Sequence, residues 1–243
     1  MPITLCLDFG NTRLKWAIFS EGKIRHTGLF GDDLLEELRV CLDTHLPDRS
    51  ILSSVVNHPE GLVEILKSRT RFHKLDHLSR VPVTTPVGKP ETIGSDRLAL
   101  VVAAAHYFQD RNNLVIGLGS AVTYNYINRF HQFIGGSISP GMEMRFKSLE
   151  AFTAKLPLVK PHWNFPLAGY DTKTNIQSGV IFGMAKEIDG VIEAYEERYE
   201  NLHTLMTGGD AQYFKPFLKK TITEDPDLIF KGLYIISEYN LST

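Results

Sequence analysis

Leu5-Cys6-Leu7-Asp8-Phe9-Gly10-Asn11-Thr12-Arg13-Leu14-Lys15-Trp16-Ala17-Ile18-Phe19 decides the reading of the fold. Apolar and aromatic residues on either side of a Gly-Asn-Thr break read as two buried β-strands joined by a tight turn. Gly10-Asn11 is a hairpin signal because both residues tolerate positive φ. Asp8 closes the first strand just before the turn. A carboxylate there can hold a hydrated metal while the turn's N–H groups face phosphate oxygens. An ordinary hairpin with a solvated Asp has the same local pattern, so the stretch alone leaves both readings open.

Working outward, residues 23–30 read as a third strand entered through Glu21-Gly22. Asp32 or Asp33 then caps an amphipathic helix carrying Leu34, Leu35, Leu38, Leu42 and Leu46 on one face. Residues 50–56 read as a strand, 59–68 as a helix and 71–75 as an edge strand. The order βββαβαβ is that of an α/β protein. Pro82, Pro86, Gly88 and Pro90 make 81–93 a loop. It leads into Gly94-Ser95-Asp96-Arg97 and an Ala-, Leu- and Val-rich helix over 98–108. Ser95 is the expected N-cap, which puts Asp96 and Arg97 on the first turn. Helix-dipole stabilisation accounts for Asp96 but not for Arg97.

The opening pattern returns 109 residues later. Leu114-Val115-Ile116-Gly117-Leu118-Gly119-Ser120-Ala121-Val122-Thr123-Tyr124-Asn125-Tyr126-Ile127 lies over the segment that begins at Leu5, with Gly119 over Gly10 and Ser120 over Asn11. A third strand over 132–139 follows, as in the first copy. The chain therefore reads as a duplication divided at the polar stretch 109–113, with domains at 1–111 and 112–243. One difference stands out: Gly117 occupies the place of Asp8. Further on, Gly135-Gly136-Ser137-Ile138-Ser139-Pro140-Gly141 marks backbone that passes close to something. Residues 142–154 read as a helix and 156–169 as an irregular lid or interface loop. Asp171 and Thr172 precede a long helix over 174–199. Thr207-Gly208-Gly209-Asp210-Ala211 is a strand–glycine–helix junction of the kind that lets a nucleotide approach the backbone. Residues 212–218 read as a helix, and 227–239 as a strand and a closing helix.

Composition bounds the rest. The chain has 243 residues, 43% hydrophobic and 22% charged, with a net charge of −2. This is ordinary for a protein with a real core and implies no general attraction to nucleic acid or anionic membranes. No apolar run approaches the roughly 20 residues of a membrane span. The N-terminus lacks a basic leader, and Cys6 and Cys41 read as small core residues. A cytoplasmic location is expected. His73 and His77 have i, i+4 spacing without a third ligand nearby in sequence, so a metal site is not expected there.

Five motifs occur in order: Asp8-Phe9-Gly10-Asn11-Thr12, Gly94-Ser95-Asp96-Arg97, Gly119-Ser120-Ala121, the 135–141 stretch, and Thr207-Gly208-Gly209-Asp210-Ala211. In this combination the chain resembles the type III pantothenate kinases, the family also called Bvg accessory factor, over essentially its whole length. The resemblance implies duplicated ribonuclease H-like α/β domains of the acetate and sugar kinase/Hsc70/actin fold. It implies ATP-dependent phosphorylation of pantothenate, the first step toward coenzyme A, by a homodimer that needs Mg²⁺ and a monovalent cation (K⁺ or NH₄⁺). It further implies that Asp8, Phe9, Gly10, Asn11, Thr12, Arg13, Leu14 and Lys15 form the ATP phosphate loop, with Asp8 organising Mg²⁺ through water. Gly119, Ser120, Gly208 and Gly209 would also contact ATP. Gly94, Ser95, Asp96, Arg97 and Thr172 would bind pantothenate, with Asp96 as general base; by its own chemistry Arg97 suits an anionic group such as the substrate carboxylate.

Three departures qualify this expectation. Gly117 replaces a family Asp that helps bind the monovalent cation, Val87 stands where an aromatic residue often precedes the Gly-x-Asp-Arg motif, and Asp171 replaces an Asn. A catalytically weakened or regulatory ATP-binding relative is the main rival reading. A sugar or acetate kinase of the same fold is the other, and Gly-Ser-Asp-Arg argues against it.

Overall fold

A computed structural model describes residues 2–86 and 88–241. The elements run β1 (Thr4–Phe9), β2 (Leu14–Ser20), β3 (Lys23–Phe30), α1 (Leu34–His45), β4 (Arg49–Ser54), α2 (Leu62–Arg69), β5 (Arg71–Lys74) and α3 (Ser95–Tyr107). They continue with β6 (Asn112–Leu118), β7 (Ala121–Ile127), β8 (Phe133–Pro140), α4 (Met142–Ala151), α5 (Thr172–Gln177) and α6 (Gly183–Arg198). The last are β9 (Leu202–Thr207), α7 (Ala211–Phe214), β10 (Thr223–Glu224) and α8 (Leu228–Leu241).

Two five-stranded sheets have the same plan. The first runs β3-β2-β1-β4-β5; the second, read in the same sense, runs β8-β7-β6-β9-β10. In each, the central strand pairs antiparallel with the strand after it and parallel with the one beyond the crossover helices. The internal repeat is thus a repeat of topology.

In the first sheet, strand alternation divides the side chains between two faces. Leu5, Leu7, Phe9, Ile18 and Leu52 pack with Leu34, Leu38 and Leu42 of α1 and with Leu62 and Leu66 of α2. Asp33 caps α1, accepting a hydrogen bond from the Glu36 N–H at 3.3 Å. Cys6, Asp8, Ala17, Phe19, Ile51 and Ser53 occupy the alternate positions. That face is covered by α8, where Tyr234 stacks on Phe19 at a centroid distance of 4.5 Å. Cys6 and Cys41 are buried and unbridged. No helix among the described residues is long and apolar enough to cross a membrane.

The polypeptide forms two compact units. One comprises residues 1–107, 131–133 and 227–243, the other 108–130 and 134–226. A division at 111/112 follows chain order, whereas the fold returns the last helix to the first unit. Residues 227–239 contain no strand: apart from the residues just before Leu228 they are helix throughout. Gly232 makes this packing feasible, because a Cβ there would lie 1.9 Å from the Ala99 carbonyl oxygen of α3. The segment read as one helix over 212–218 is the single turn α7 followed by a 3-10 turn, Lys215–Phe217. The long helix over 174–199 begins two residues earlier and contains a widened π turn, Ser178–Phe182, between α5 and α6.

The irregular stretch 156–169 is tied down rather than free. Gln177 Nε2 donates to the Lys160 carbonyl at 3.1 Å, Ser178 Oγ donates to the Leu167 carbonyl at 2.6 Å, and Trp163 stacks on Tyr213.

Gly232→Ala is expected to destabilise the protein by about 1–3 kcal/mol through overpacking against α3. Gly190→Ala in α6, where nothing lies within 4 Å, should be neutral or stabilising by up to about 1 kcal/mol. Urea midpoints at constant slope measure both.

Candidate active site

Asp8 lies at the carboxyl end of the central strand β1. The ladder sets Lys15 of β2 directly beside it on one side and Ser53 of β4 on the other. All three point to the same face of the sheet by strand alternation. Asp8 is half-buried, and its carboxyl is pushed up to about 6. Loss of water is the main cause; the Lys15 ammonium works against it, and the Asp96 carboxylate adds to it.

Asp96 is brought there by α3. The Leu98 N–H donates to the Gly94 carbonyl at 3.0 Å, so Gly94, not Ser95, is the cap residue. Ser95 is the first helical residue, and its hydroxyl pairs with that of Ser53 at 2.9 Å. This bond fastens the start of α3 to the strand beside Asp8. At Gly94 a Cβ would lie 2.5 Å from Asp96 Oδ1, so the Asp96 carboxylate turns back toward this bare backbone. Arg97 lies over the Phe133 ring, 5.7 Å from its centroid. The motif read as a cap plus two charges is therefore a carboxylate folded back on a bare backbone.

The turn after β1 differs from the sequence reading. Neither Gly10 nor Asn11 adopts positive φ. Four residues, Gly10 to Arg13, separate the paired Phe9 and Leu14, and the Gly10 N–H closes the loop on the Arg13 carbonyl at 3.2 Å. A loop of that length needs no left-handed residue. The left-handed pair is instead Glu21 (φ 55°) and Gly22 (φ 71°), in the next hairpin. Asn11, Thr12 and Arg13 are exposed at the tip. Gly10 has only the Arg13 carbonyl within reach of a Cβ, at an ordinary 3.6 Å.

In the second unit, Gly117 takes the place of Asp8 and is flanked in register by Thr123 and Thr207. The following turn is exposed at Gly119 and half-buried at Ser120. Two other glycines press against it. A Cβ on Gly141 would lie 2.2 Å from the Gly119 carbonyl oxygen, and the Gly141 N–H donates to the Ser120 carbonyl at 3.2 Å. A Cβ on Gly208, at φ 107°, would lie 2.1 Å from the Leu118 carbonyl oxygen. The helix after Gly208-Gly209 is one turn long, too short for a strong N-terminal dipole. The glycine junction acts through close backbone packing. Gly209 is exposed.

Asp171 is the N-cap of α5, accepting from the Thr174 N–H at 2.7 Å. These bonds from Thr174 hold its carboxyl below the usual range. Asn and Asp serve this position equally well, which accounts physically for the replacement of Asn. Thr172, the first residue of that helix, is exposed. Val87 lies outside the described residues.

A family model for type III pantothenate kinase matches residues 4–194. The chain belongs to that family. The Cytophaga hutchinsonii type III pantothenate kinase is 39% identical over 239 residues, covering 98% of this chain and 100% of that one. The Christiangramia forsetii enzyme is 37% identical over 241 residues, covering 98% and 99%. Among solved structures, a Baf family protein of Campylobacter jejuni superposes with a TM-score of 0.61 at 22% identity, over 98% of this chain and 100% of that one. The 2-hydroxyisocaproyl-CoA dehydratase activator of Clostridium difficile, solved with bound ADPNP, gives 0.53 at 11% identity, over 99% and 94%. The fold of this pantothenate kinase family member is thus the actin-like, duplicated α/β fold.

Sequence reading missed Ser53 and Thr123, whereas Thr207 stands out in it as the start of the Thr207–Ala211 junction. The available signal was a polar residue at the carboxyl end of an apolar strand, where α/β sheets place their ligands.

Two outcomes are expected. In the metal-free protein Asp8 should titrate near pH 6 by carboxyl NMR, moving down in Asp96→Asn and up in Lys15→Met. Since its folded value is raised, Asp8 costs stability as pH rises from about 4 to about 6, as linkage requires. Separately, Gly208→Ala and Gly141→Ala should each lose about 2–3 kcal/mol of stability by urea unfolding, whereas Gly10→Ala should lose less than about 1 kcal/mol.

Proposed function

We infer that this protein is a pantothenate kinase, transferring the γ-phosphoryl group of ATP to the primary hydroxyl of pantothenate. The observation that carries the inference is the pair of carboxylates Asp8 and Asp96, close enough for the Asp96 charge to raise the Asp8 carboxyl, within a kinase family fold. Phosphoryl transfer needs a positioned hydroxyl, a proton acceptor and neutralisation of phosphate charge. Asp96, on the first turn of α3 and half-buried, is the proton acceptor. Arg97 beside it suits the anionic carboxylate of the substrate. Gly94, Ser95 and Thr172 complete the proposed pantothenate site.

Asp8 is the proposed metal-holding group. Mg²⁺ favours one or two carboxylates, retained waters and substrate phosphates, and a desolvated carboxyl raised to about 6 is one that a divalent cation would return to its charged form. Bound there, the ion would neutralise phosphate charge. Gly10 to Lys15, Gly119, Ser120, Gly208 and Gly209 are the proposed ATP contacts. At the turns, small residues leave room for a phosphate to approach the backbone, while the Gly10 and Gly119 N–H groups close the turns on the Arg13 and Ala121 carbonyls. Lys15 would balance charge from within the sheet. Gly117 leaves the second central strand without a carboxylate, which supports a weakened or absent monovalent-cation requirement. A homodimer and a cytoplasmic location are part of the same proposal.

A coupled ADP-release assay with pantothenate, run with and without K⁺, tests this. Turnover with little K⁺ dependence is expected. ATP binding without turnover would favour a regulatory relative, and a strong saturable K⁺ requirement would sink the reading of Gly117. Asp96→Ala should abolish turnover with ATP affinity nearly unchanged.

A further inference from the structure

Behind the second turn lies a charged network that no proposed contact uses. Arg145 of α4 donates from Nε to the Pro140 carbonyl at 2.8 Å and from Nη2 to Ser139 Oγ at 2.8 Å. The same Nη2 meets Glu187 Oε2 of α6 at 2.5 Å. Glu187 Oε1 accepts from the hydroxyl of Tyr124 at 3.1 Å, and Tyr124 is fully buried. The Arg145 and Glu187 side chains are 21% and 29% exposed, so bulk salt screens the pair only weakly.

A half-buried ion pair is poor at raising stability, since its desolvation cost offsets much of its Coulombic gain. What it does supply is geometry. The planar guanidinium fork holds Pro140 and Ser139 at fixed angles, and the Arg145 N–H itself donates to the Gly141 carbonyl at 3.0 Å. Gly141 in turn donates to the Ser120 carbonyl and touches the Gly119 carbonyl with no room for a Cβ. The chain of contacts runs Tyr124, Glu187, Arg145, Pro140-Gly141, Gly119-Ser120. Glu187 owes its phase to the widened turn Ser178–Phe182 preceding α6, since one extra residue rotates the following helix by about 100°.

We propose that Arg145, held by Glu187 and Tyr124, is a positioning residue that sets the Gly119-Ser120 turn for the phosphates of ATP. The proposal rests on the reading of that turn as a nucleotide contact, and the two are separable. Gly119 has only the Ala121 carbonyl within reach of a Cβ, at 3.9 Å, so Gly119→Val should fold normally and block ATP. Unchanged ATP binding in Gly119→Val would overturn the reading of the turn itself, and the positioning role with it.

With the full-length protein, Arg145→Lys is expected to raise KM and Kd for ATP about tenfold, the size of one charge-assisted hydrogen bond. A lysine cannot reach Pro140, Ser139 and Glu187 together. Glu187→Gln should act in the same direction. KM for pantothenate should stay within about twofold in both, because additivity confines the effect to groups in the same network. Wild-type ATP constants in Arg145→Lys, or equal changes for both substrates accompanied by loss of stability in urea, would overturn the proposal. Should that variant fail to fold, Tyr124→Phe, which removes one hydroxyl, decides: a raised KM for ATP alone supports the role, and an unchanged value overturns it.

Discussion

The structure of the first unit turns on a carboxylate kept partly out of water. Asp8 terminates the central strand of its sheet, and burial there works against its own ionisation. Such a group is expensive unless opposite charge or a bound cation accompanies it. Lys15 on the neighbouring strand offsets part of the cost. Asp96 adds to it, and the fold takes trouble to put Asp96 there. The Ser53–Ser95 hydroxyl pair fastens the start of α3 beside the strand, and Gly94 leaves room for the Asp96 carboxylate. Two carboxylates held near one another at a strand end form an arrangement that favours cations and accepts protons. It is the chemistry expected of phosphoryl transfer.

The second unit solves a different problem with the same topology. It has no acid on its central strand, and glycine replaces side-chain chemistry. Gly141 and Gly208 bring two further backbone segments against the Gly119-Ser120 turn at distances no side chain tolerates. A turn packed this way is held by neighbouring backbone and offers little bulk of its own. The duplicated halves have therefore diverged in chemistry: one carries a pair of nearby carboxylates, the other close-packed glycines. The half-buried Arg145–Glu187 pair packs behind the same turn. Its cost in desolvation makes sense if it specifies geometry rather than stability.

Several features were legible in the residues before any coordinates. The strands around Asp8 and around Gly117, the capped helix after Asp33, the helix entered at Gly94 and the duplication itself all follow from local patterns. Local patterns misled in three places. Gly10-Asn11 has the composition of a left-handed turn, yet a four-residue loop relieved it of that need. Ser95 has the composition of a cap, yet its hydroxyl is taken by Ser53, a residue 42 positions earlier. Residues 227–239 looked like a strand and a helix because the apolar segment is rich in β-branched and aromatic residues. Packing against α3 and the first sheet settles it as helix.

The sequence by itself determined the element order βββαβαβ of the first half, the internal repeat, the family and the identity of the carboxylates, because period, turn chemistry and short motifs are properties of neighbouring residues. Only the tertiary structure decided which distant residues share a site. Ser53 and Lys15 flank Asp8 because strand register places them there, and Glu187 reaches Arg145 because a widened helical turn sets its phase. Gly141 and Gly208 are indispensable because separate segments converge on one turn. Such relations join residues tens of positions apart, and no local propensity encodes them. They exist only once the sheets have formed and the helices have packed on them.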